Sequence, residues 1–449
     1  MLVILLGLAV VVLDSSLLNL ALPAIARAFQ APASHAIWVV NAYQIATLVM
    51  LLPLAAVGER IGYRSVYLWG MALFALASLG AVFAPSLGAL IAARALQGLG
   101  AAGILSVNAA LVRFIFPRSL LGRGLALNSA VVASASVAGP TVAAAILSVA
   151  SWPWLLAPNV PLGLLTLWLG RKSLPDTPRV LGESGARAFS ALDLVLNMAM
   201  FTLVFLGADA LGVARKDQAG SMLMGGLLLG AGLLIGAWHL VRQSRKPRPL
   251  FPVDLLRIPV FALSMASSVN AFCAQTLAFL ALPFLLLETH GRSALQAGLL
   301  LTAWPLAIVT VAPLAGWLIG RYPDGLLGGL GMAVFTAGLW LLALLPAQPS
   351  DLDVIWRMVL CGAGFALFQS PNNHTIVRST PVQRSGAGSA MLGTARLTGQ
   401  TMGAIILATL FALWPGHGGT AETVALVGAG CFAALAGLCS SLRIRQPRA

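Results

Sequence analysis

The sequence predicts an all-α integral membrane protein of about fourteen spanning helices, and three observations carry that reading. The chain of 449 residues is 59% hydrophobic and only 9% charged, where soluble domains carry about 25% charge, and its mean hydropathy is +0.92. Its apolar runs are long enough to cross a bilayer as helices, which takes about 20 residues. They are too long, and lack the period-two alternation, for barrel strands of about 10 residues. Finally, the basic residues gather in alternate loops, as the membrane orientation rule requires.

Apolar runs bounded by charge, Pro and Gly place the spans in order near 2–26, 36–57, 66–84, 87–112, 121–149 and 154–170. A pair follows near 191–211 and 220–241, then six more near 259–287, 294–320, 325–346, 354–376, 386–413 and 422–441. Two loops set off the middle pair. One holds Leu174-Pro175-Asp176-Thr177-Pro178, and the other, 242–258, is basic and carries Pro247, Pro249 and Pro252. The expected organisation is therefore a six-helix bundle over 1–170, a linker with two extra helices over 171–258, and a second six-helix bundle over 259–449. Halves of this kind are the mark of transporters built from internal repeats. Glu59-Arg60-Ile61-Gly62-Tyr63-Arg64 and Gly316-Trp317-Leu318-Ile319-Gly320-Arg321-Tyr322 stand at corresponding places after the second span of each half.

The charges orient the list. With a cytoplasmic N-terminus, the cytoplasmic loops receive Arg60, Arg64, Arg113, Arg118, Arg123, Arg171, Lys172, Arg179 and Arg187. They also receive the cluster Arg242, Arg245, Lys246, Arg248 and Arg257, then Arg321, Arg378, Arg384, Arg443, Arg445 and Arg448. The outer side receives only Arg27, Arg215, Lys216, Arg292 and Arg357. Both termini are thus expected in the cytoplasm. A net charge of +14 would suggest nucleic acid in a soluble protein; here loop placement explains it, and no nucleic-acid partner is expected. The first segment lacks the form of a cleavable signal peptide. It starts without polar residues before it, which suggests a natural start a few residues upstream. The four cysteines lie in apolar stretches without metal-ligand spacing, and the five histidines form no zinc pattern. Nothing in the sequence indicates a metal, an organic cofactor, an enzyme's Ser/His/Asp set, or a phosphate-binding GxxxxGK[ST] loop.

Asp14 is the most informative residue. It interrupts an otherwise uncharged opening stretch, where a carboxylate costs roughly 2.5–3.5 kcal/mol or more at mid-membrane. Such a group is by default an ion or proton site; the alternative is a carboxylate satisfied by a buried hydrogen-bond network. Asp14 lies ~20 Å along its helix at a 1.5 Å rise per residue. Arg94 lies inside the fourth span, which runs the other way, so the two can share a depth. Arg94 does not deprotonate, and a contact that forms and breaks would switch Asp14 between proton-binding and proton-releasing states. The alternative for Arg94 is a structural pin between helices. Arg396 is the second base inside a span, with Gly393, Gln400 and Ser389 on its face; substrate, gating and structural roles all stay open for it. Further polar side chains mark a watery substrate path or, alternatively, helix-to-helix hydrogen bonds. They are Trp38, Asn41 and Gln44 in the second span, Asn270 and Gln275 in the ninth, and Gln369, Asn372, Asn373 and His374 around Pro371. Trp152, Trp154 and Trp414 near span ends read as interface anchors.

Several motifs coincide in order and spacing. They are Leu13-Asp14 through Ala21-Leu22-Pro23, Glu59-Arg60-Ile61-Gly62-Tyr63-Arg64 and Arg94-Ala95-Leu96-Gln97-Gly98-Leu99-Gly100, followed by Ala135 to Ala144 around Gly139-Pro140. Trp152-Pro153-Trp154 with Asn159-Val160-Pro161-Leu162-Gly163, Ser293-Ala294-Leu295-Gln296-Ala297-Gly298 and Thr394-Ala395-Arg396-Leu397-Thr398-Gly399 complete the set. With these, the chain resembles the major facilitator superfamily, and within it the fourteen-span drug:proton antiporters of the EmrB/QacA type. It departs from their pattern at Ala55, Glu59, Ala135, Ala143 and Ala144. The resemblance implies the major facilitator fold and proton-driven export of small amphipathic compounds across a bacterial inner membrane. A single specific metabolite is the alternative cargo, a non-transporting sensor a remote one. It also implies a cytoplasmic gating role for Glu59, Arg60, Gly62 and Arg64, and a fifth-span motif at Gly139 and Pro140. Partners are then a small-molecule substrate, protons and the bilayer, with a periplasmic adaptor left open.

Overall fold

A computed structural model describes residues 1–115, 121–176, 190–213, 219–246, 249–381, 384–415 and 419–443. Arg118, Arg179, Arg187, Arg215, Lys216, Arg248, Arg445 and Arg448 lie outside the described residues, as do the side chains of Arg123 and Ser389. The described chain is helical. In order its long helices are α1 (Leu2–Ala28), α2 (Trp38–Ile61), α3 (Tyr63–Val82), α4 (Leu87–Ile115), α5 (Leu121–Val149), α6 (Asn159–Ser173) and α7 (Ala191–Val213). Then come α8 (Ala219–Ser244), α9 (Pro259–Phe284), α10 (Ala294–Leu318), α11 (Asp324–Ala343), α12 (Asp351–Ser379), α13 (Ser385–Leu413) and α14 (Thr420–Leu442). Leu285–Thr289 continues α9 as a π-helical turn.

Twelve helices among the described residues are long and apolar enough to span a membrane, rather than the fourteen expected. The difference lies in α6 and α12. α6 has only 15 residues, short of the about 20 a span needs. α12 is long, but Asp351, Asp353, Arg357, Gln369, Asn372, Asn373 and His374 dilute its apolar character.

Local signals explain the junctions. Ser293 and Gln296, noted above within a motif, form a capping box at the start of α10, and Ser350 accepts from the Asp353 N–H at the start of α12. α2 and α3 are joined through one residue, Gly62, at φ 97°, a conformation that favours glycine.

The chain forms two compact units. The first comprises Met1–Leu18, Trp38–Ser136 and Ala150–Phe251; the second comprises Asn19–Ile37, Val137–Val149 and Pro252–Ala449. The added pair α7 and α8 belongs to the first unit, where α7 packs on α2. That unit's core joins Val3, Ile4, Val10 and Val11 of α1 to Tyr67, Met71 and Phe74 of α3 and to Ile104, Val107 and Leu111 of α4. The Tyr67 hydroxyl donates to the Val3 carbonyl at 2.7 Å.

The two units are built on the same close packing. In the first, a Cβ at Gly98 of α4 would lie 2.3 Å from the Tyr43 carbonyl oxygen of α2, and one at Gly100 would lie 2.6 Å from Phe74 N of α3. In the second, a Cβ at Gly362 of α12 would lie 2.3 Å from the Trp304 carbonyl oxygen of α10, and one at Gly364 would lie 2.5 Å from Phe335 N of α11. Small residues let backbones touch where lipid removes the hydrophobic drive between helices. α12 therefore stands to α10 and α11 as α4 stands to α2 and α3.

Candidate functional site: a buried carboxylate on helix α1

Asp14 is fully buried, and so are its neighbours Arg94, Gln97, Ser78 and Asn159, none more than 3% exposed. Four helices deliver these groups. Arg94 and Gln97 stand three residues apart on α4 and so share a face; Ser78 comes from α3, and Asn159 is the first residue of α6. Arg94 Nη1 donates to Asp14 Oδ2 at 2.6 Å. Gln97 Nε2 donates to Asp14 Oδ1 at 2.9 Å and Asn159 Nδ2 to the same oxygen at 2.6 Å. Gln97 Nε2 also reaches Ser78 Oγ at 2.9 Å. Arg94 is held independently of Asp14: it donates to the Val39 carbonyl at 3.2 Å and to Gln97 Oε1, and its guanidinium lies 4.3 Å from the Tyr43 ring centroid.

This cluster can hold a carboxylate dry. Three donors, one of them a full cation, offset the cost of burying the charge. Sequence reasoning named the ion pair and missed Gln97, Ser78 and Asn159. The three-residue spacing from Arg94 pointed to Gln97; nothing local pointed to Asn159, which is 145 residues from Asp14 in sequence.

Four residues and one residue before Gly98 stand Arg94 and Gln97. Four residues and one residue before Gly362 stand Met358 and Cys361, both buried. The second unit thus makes the same helix crossing without a charged pair at that place.

The remaining predicted residues are dispersed. Trp38 Nε1 donates to Asp209 Oδ2 of α7 at 3.0 Å, while Asn41 is fully buried and neither of its amide atoms has a hydrogen-bond partner. Gln44 is half-buried and its Oε1 has no partner. Asn270 Nδ2 donates to the Ala266 carbonyl of its own helix at 2.8 Å. Gln275, Gln369, Asn373 and Gln400 are partly buried, and Arg396 lies with its guanidinium 5.6 Å from the Phe272 ring centroid.

Asn372 belongs to a second buried network. It donates to Ser268 Oγ at 2.7 Å and accepts from Arg443 Nη1 at 2.7 Å. Arg443 also donates to Ser264 Oγ at 2.9 Å and to Ser440 Oγ. Arg443, expected in a solvated loop, is only 6% exposed, because hydrogen bonds to three residues replace water around it. Beside it His374 Nδ1 meets Asp324 Oδ2 at 2.7 Å.

At the α2–α3 junction Glu59 and Arg60 are exposed, Gly62 is buried and Arg64 is partly buried. Arg64 pairs with Asp176 and donates to the Arg171 carbonyl at 2.7 Å. Gly139 and Pro140 are buried in α5. Two loop bases have more than a topological setting: Arg242 and Lys246 both pair with the buried Asp193 of α7. Trp152, expected at an interface, is only 9% exposed, whereas Trp154 is 62% exposed, although both lie on the short 3-10 turn Trp152–Leu155.

Twelve helices long and apolar enough to span a membrane, among the described residues, define the class as a multi-pass membrane protein. The chain belongs to the Major Facilitator Superfamily, whose profile matches residues 4–404. It is 48% identical over 451 residues to the uncharacterized transporter YebQ of Escherichia coli K12, covering 100% of this chain and 95% of that protein. It is 28% identical to the riboflavin transporter RibZ of Clostridioides difficile, over 92% of this chain and 88% of that protein. It is equally 28% identical to the multidrug resistance protein Stp of Mycobacterium tuberculosis, over 91% of this chain and 75% of that protein. In structure it is similar to a POT family transporter in complex with 5-aminolevulinic acid, with a TM-score of 0.72, 15% identity, and 97% and 93% of the two chains covered. At that identity the likeness speaks for the fold.

Proposed function

We propose that this protein is a proton-coupled antiporter that exports small amphipathic compounds, of the fourteen-span EmrB/QacA type. One observation carries the reading: Arg94, paired with the buried Asp14, stands at a helix crossing where the second unit carries Met358 in the place of Arg94 and Cys361 in the place of Gln97. Packing does not demand the charges, so they have another task. Protonation of Asp14 removes the attraction to Arg94 and frees α1 and α4 to shift against each other. One charge moving through 100 mV supplies about 2.3 kcal/mol, enough for a roughly fortyfold substrate gradient.

In this reading α6 and α12 complete the spans, the halves are 1–170 and 259–449 with 171–258 as the added pair, and both termini face the cytoplasm at the inner membrane. Within the first unit Trp38, Asn41 and Gln44 serve the substrate, and within the second Asn270, Gln275, Gln369, Asn372, Asn373, Arg396 and Gln400 do so. Glu59, Arg60, Gly62 and Arg64, with Gly139 and Pro140, serve the gate. The likeness to Stp supports a drug-like cargo, and the likeness to RibZ supports the second reading, a single metabolite.

The test is a panel of compounds in everted vesicles with an imposed pH gradient. The expected result is uphill movement of several amphipathic compounds by the wild type, dependent on the gradient, and its loss in Asp14→Asn. Uphill pumping by Asp14→Asn at the normal rate, with an unchanged pH profile, would remove Asp14 as the coupling acid. Movement of one metabolite alone would select the second reading.

A further inference from the structure

We infer that Asn159 is a positioning residue that decides which oxygen of Asp14 takes the proton; this rests on the proton-coupling reading of Asp14. The geometry is asymmetric. Asp14 Oδ1 accepts two carboxamide donors, Gln97 Nε2 at 2.9 Å and Asn159 Nδ2 at 2.6 Å, while Oδ2 accepts Arg94 Nη1 at 2.6 Å. Each carboxylate oxygen offers about two lone pairs. Those of Oδ1 are filled, and the free one is on Oδ2, beside Arg94.

The groups that face this carboxyl are Arg94 and Gln97 from α4, Ser78 from α3 and Asn159 from α6, with the Tyr43 ring of α2 against Arg94. α5 brings Ala135 against Val12 of α1, and its stretch Ala130–Val149 holds no titratable residue.

The arriving proton therefore bonds to Oδ2. The O–H bond forms there, Oδ1 becomes the carbonyl oxygen and keeps both carboxamide donors, and the charge that held Arg94 is gone. Arg94 retains its own proton and rests on the Val39 carbonyl, Gln97 Oε1 and the Tyr43 ring. Protonation and release of the guanidinium thus become one event. Without Asn159, a lone pair opens on Oδ1, and a proton can settle there while Arg94 stays in place. Asn159 also removes one stabilising donor from the charged form when it is lost.

The experiment compares Asn159→Ala and Asn159→Leu with the wild type and Asp14→Asn in everted vesicles, using one transported amphipathic compound. Proton-driven uptake is read across pH, and substrate exchange without a gradient is read in parallel. Both Asn159 variants are expected to shift the pH midpoint of driven transport upward by about one unit, as loss of a hydrogen bond to a charged group implies. A shift in Asn159→Ala but not in the better-filled Asn159→Leu means packing, and overturns the inference. So do unchanged midpoints in both while Asp14→Asn is inactive. Normal pumping by Asp14→Asn overturns the coupling reading itself, and this inference with it.

A measurement on the wild-type protein guards against variants that fail to fold. In pH-difference infrared spectra, the band of protonated Asp14, assigned by its loss in Asp14→Asn, should lie at the strongly hydrogen-bonded end of the carboxylic C=O range. A band at the free-carbonyl end overturns the assignment of the two donors to the carbonyl oxygen.

Discussion

Replacing Arg94 by Met, the residue that the second unit carries at the matching place, tests the energetics of the site. The single variant Arg94→Met leaves the carboxylate of Asp14 with two neutral donors and no cation, at 0% exposure. Breaking a buried pair in this way costs about 3–5 kcal/mol. Arg94 would also give up its bonds to the Val39 carbonyl and to Gln97 Oε1. Single hydrogen bonds between membrane helices average only ~0.6 kcal/mol, so those losses are minor beside the stranded charge.

The double variant Asp14→Asn with Arg94→Met behaves differently. Asn at position 14 keeps an acceptor for Gln97 and Asn159, and its new amide can donate to the Gln97 Oε1 that Arg94 vacates. The double variant is therefore expected within about 1–2 kcal/mol of the wild type, because no buried charge remains unpaired. The double variant is thus expected to be about 1–4 kcal/mol more stable than Arg94→Met alone, so the two changes are not additive. Unfolding of the four proteins in mixed detergent micelles measures the difference, and vesicle assays should find the stable double variant unable to pump against a gradient. A single variant as stable as the wild type, or a double variant no better than Arg94→Met, would refute the assignment of a charged, dry pair.

Other sites give sharper contrasts. Gly98→Ala should fail to accumulate in membranes, because its Cβ would lie 2.3 Å from the Tyr43 carbonyl oxygen, whereas Gly88→Ala, which meets nothing within 4 Å, should accumulate normally in immunoblots. Asn372→Leu strips a carbonyl from the buried Arg443 and should lower unfolding stability by about 2 kcal/mol; Arg443→Met in the same background should recover part of the loss. Trp38→Phe removes the indole N–H from Asp209 and should lower the melting temperature, while Asp209→Leu should be tolerated, since an apolar side chain suits that buried site better than a half-partnered carboxyl.

Much of this architecture was legible in the sequence because a bilayer admits few solutions. Helices must satisfy their own backbone, so apolar length and flanking charge mark them directly. The two helices that fall outside the span criteria, α6 and α12, are those with too few residues or too many polar ones. Asp14 and Arg94 were conspicuous for the same reason: a charge in an apolar run has to be explained. Asn372, Asn41 and Trp38 were visible only as polar residues, and their differing fates, in a network with Arg443, without a partner, and against Asp209, were not.

The sequence by itself determined the class of protein, the order of its helices and the one carboxylate that demands a partner, since these depend on composition and on neighbours along the chain. Tertiary structure alone decided which helices touch and what surrounds that carboxylate. Gly98 and Gly362 resemble any other helical glycines until two backbones are brought together at each. Asn159, far along the chain from Asp14, becomes its neighbour only when α6 starts beside α1. Hydrogen bonds act over about 3 Å, and no pattern along one strand of sequence encodes which distant side chains will come that close.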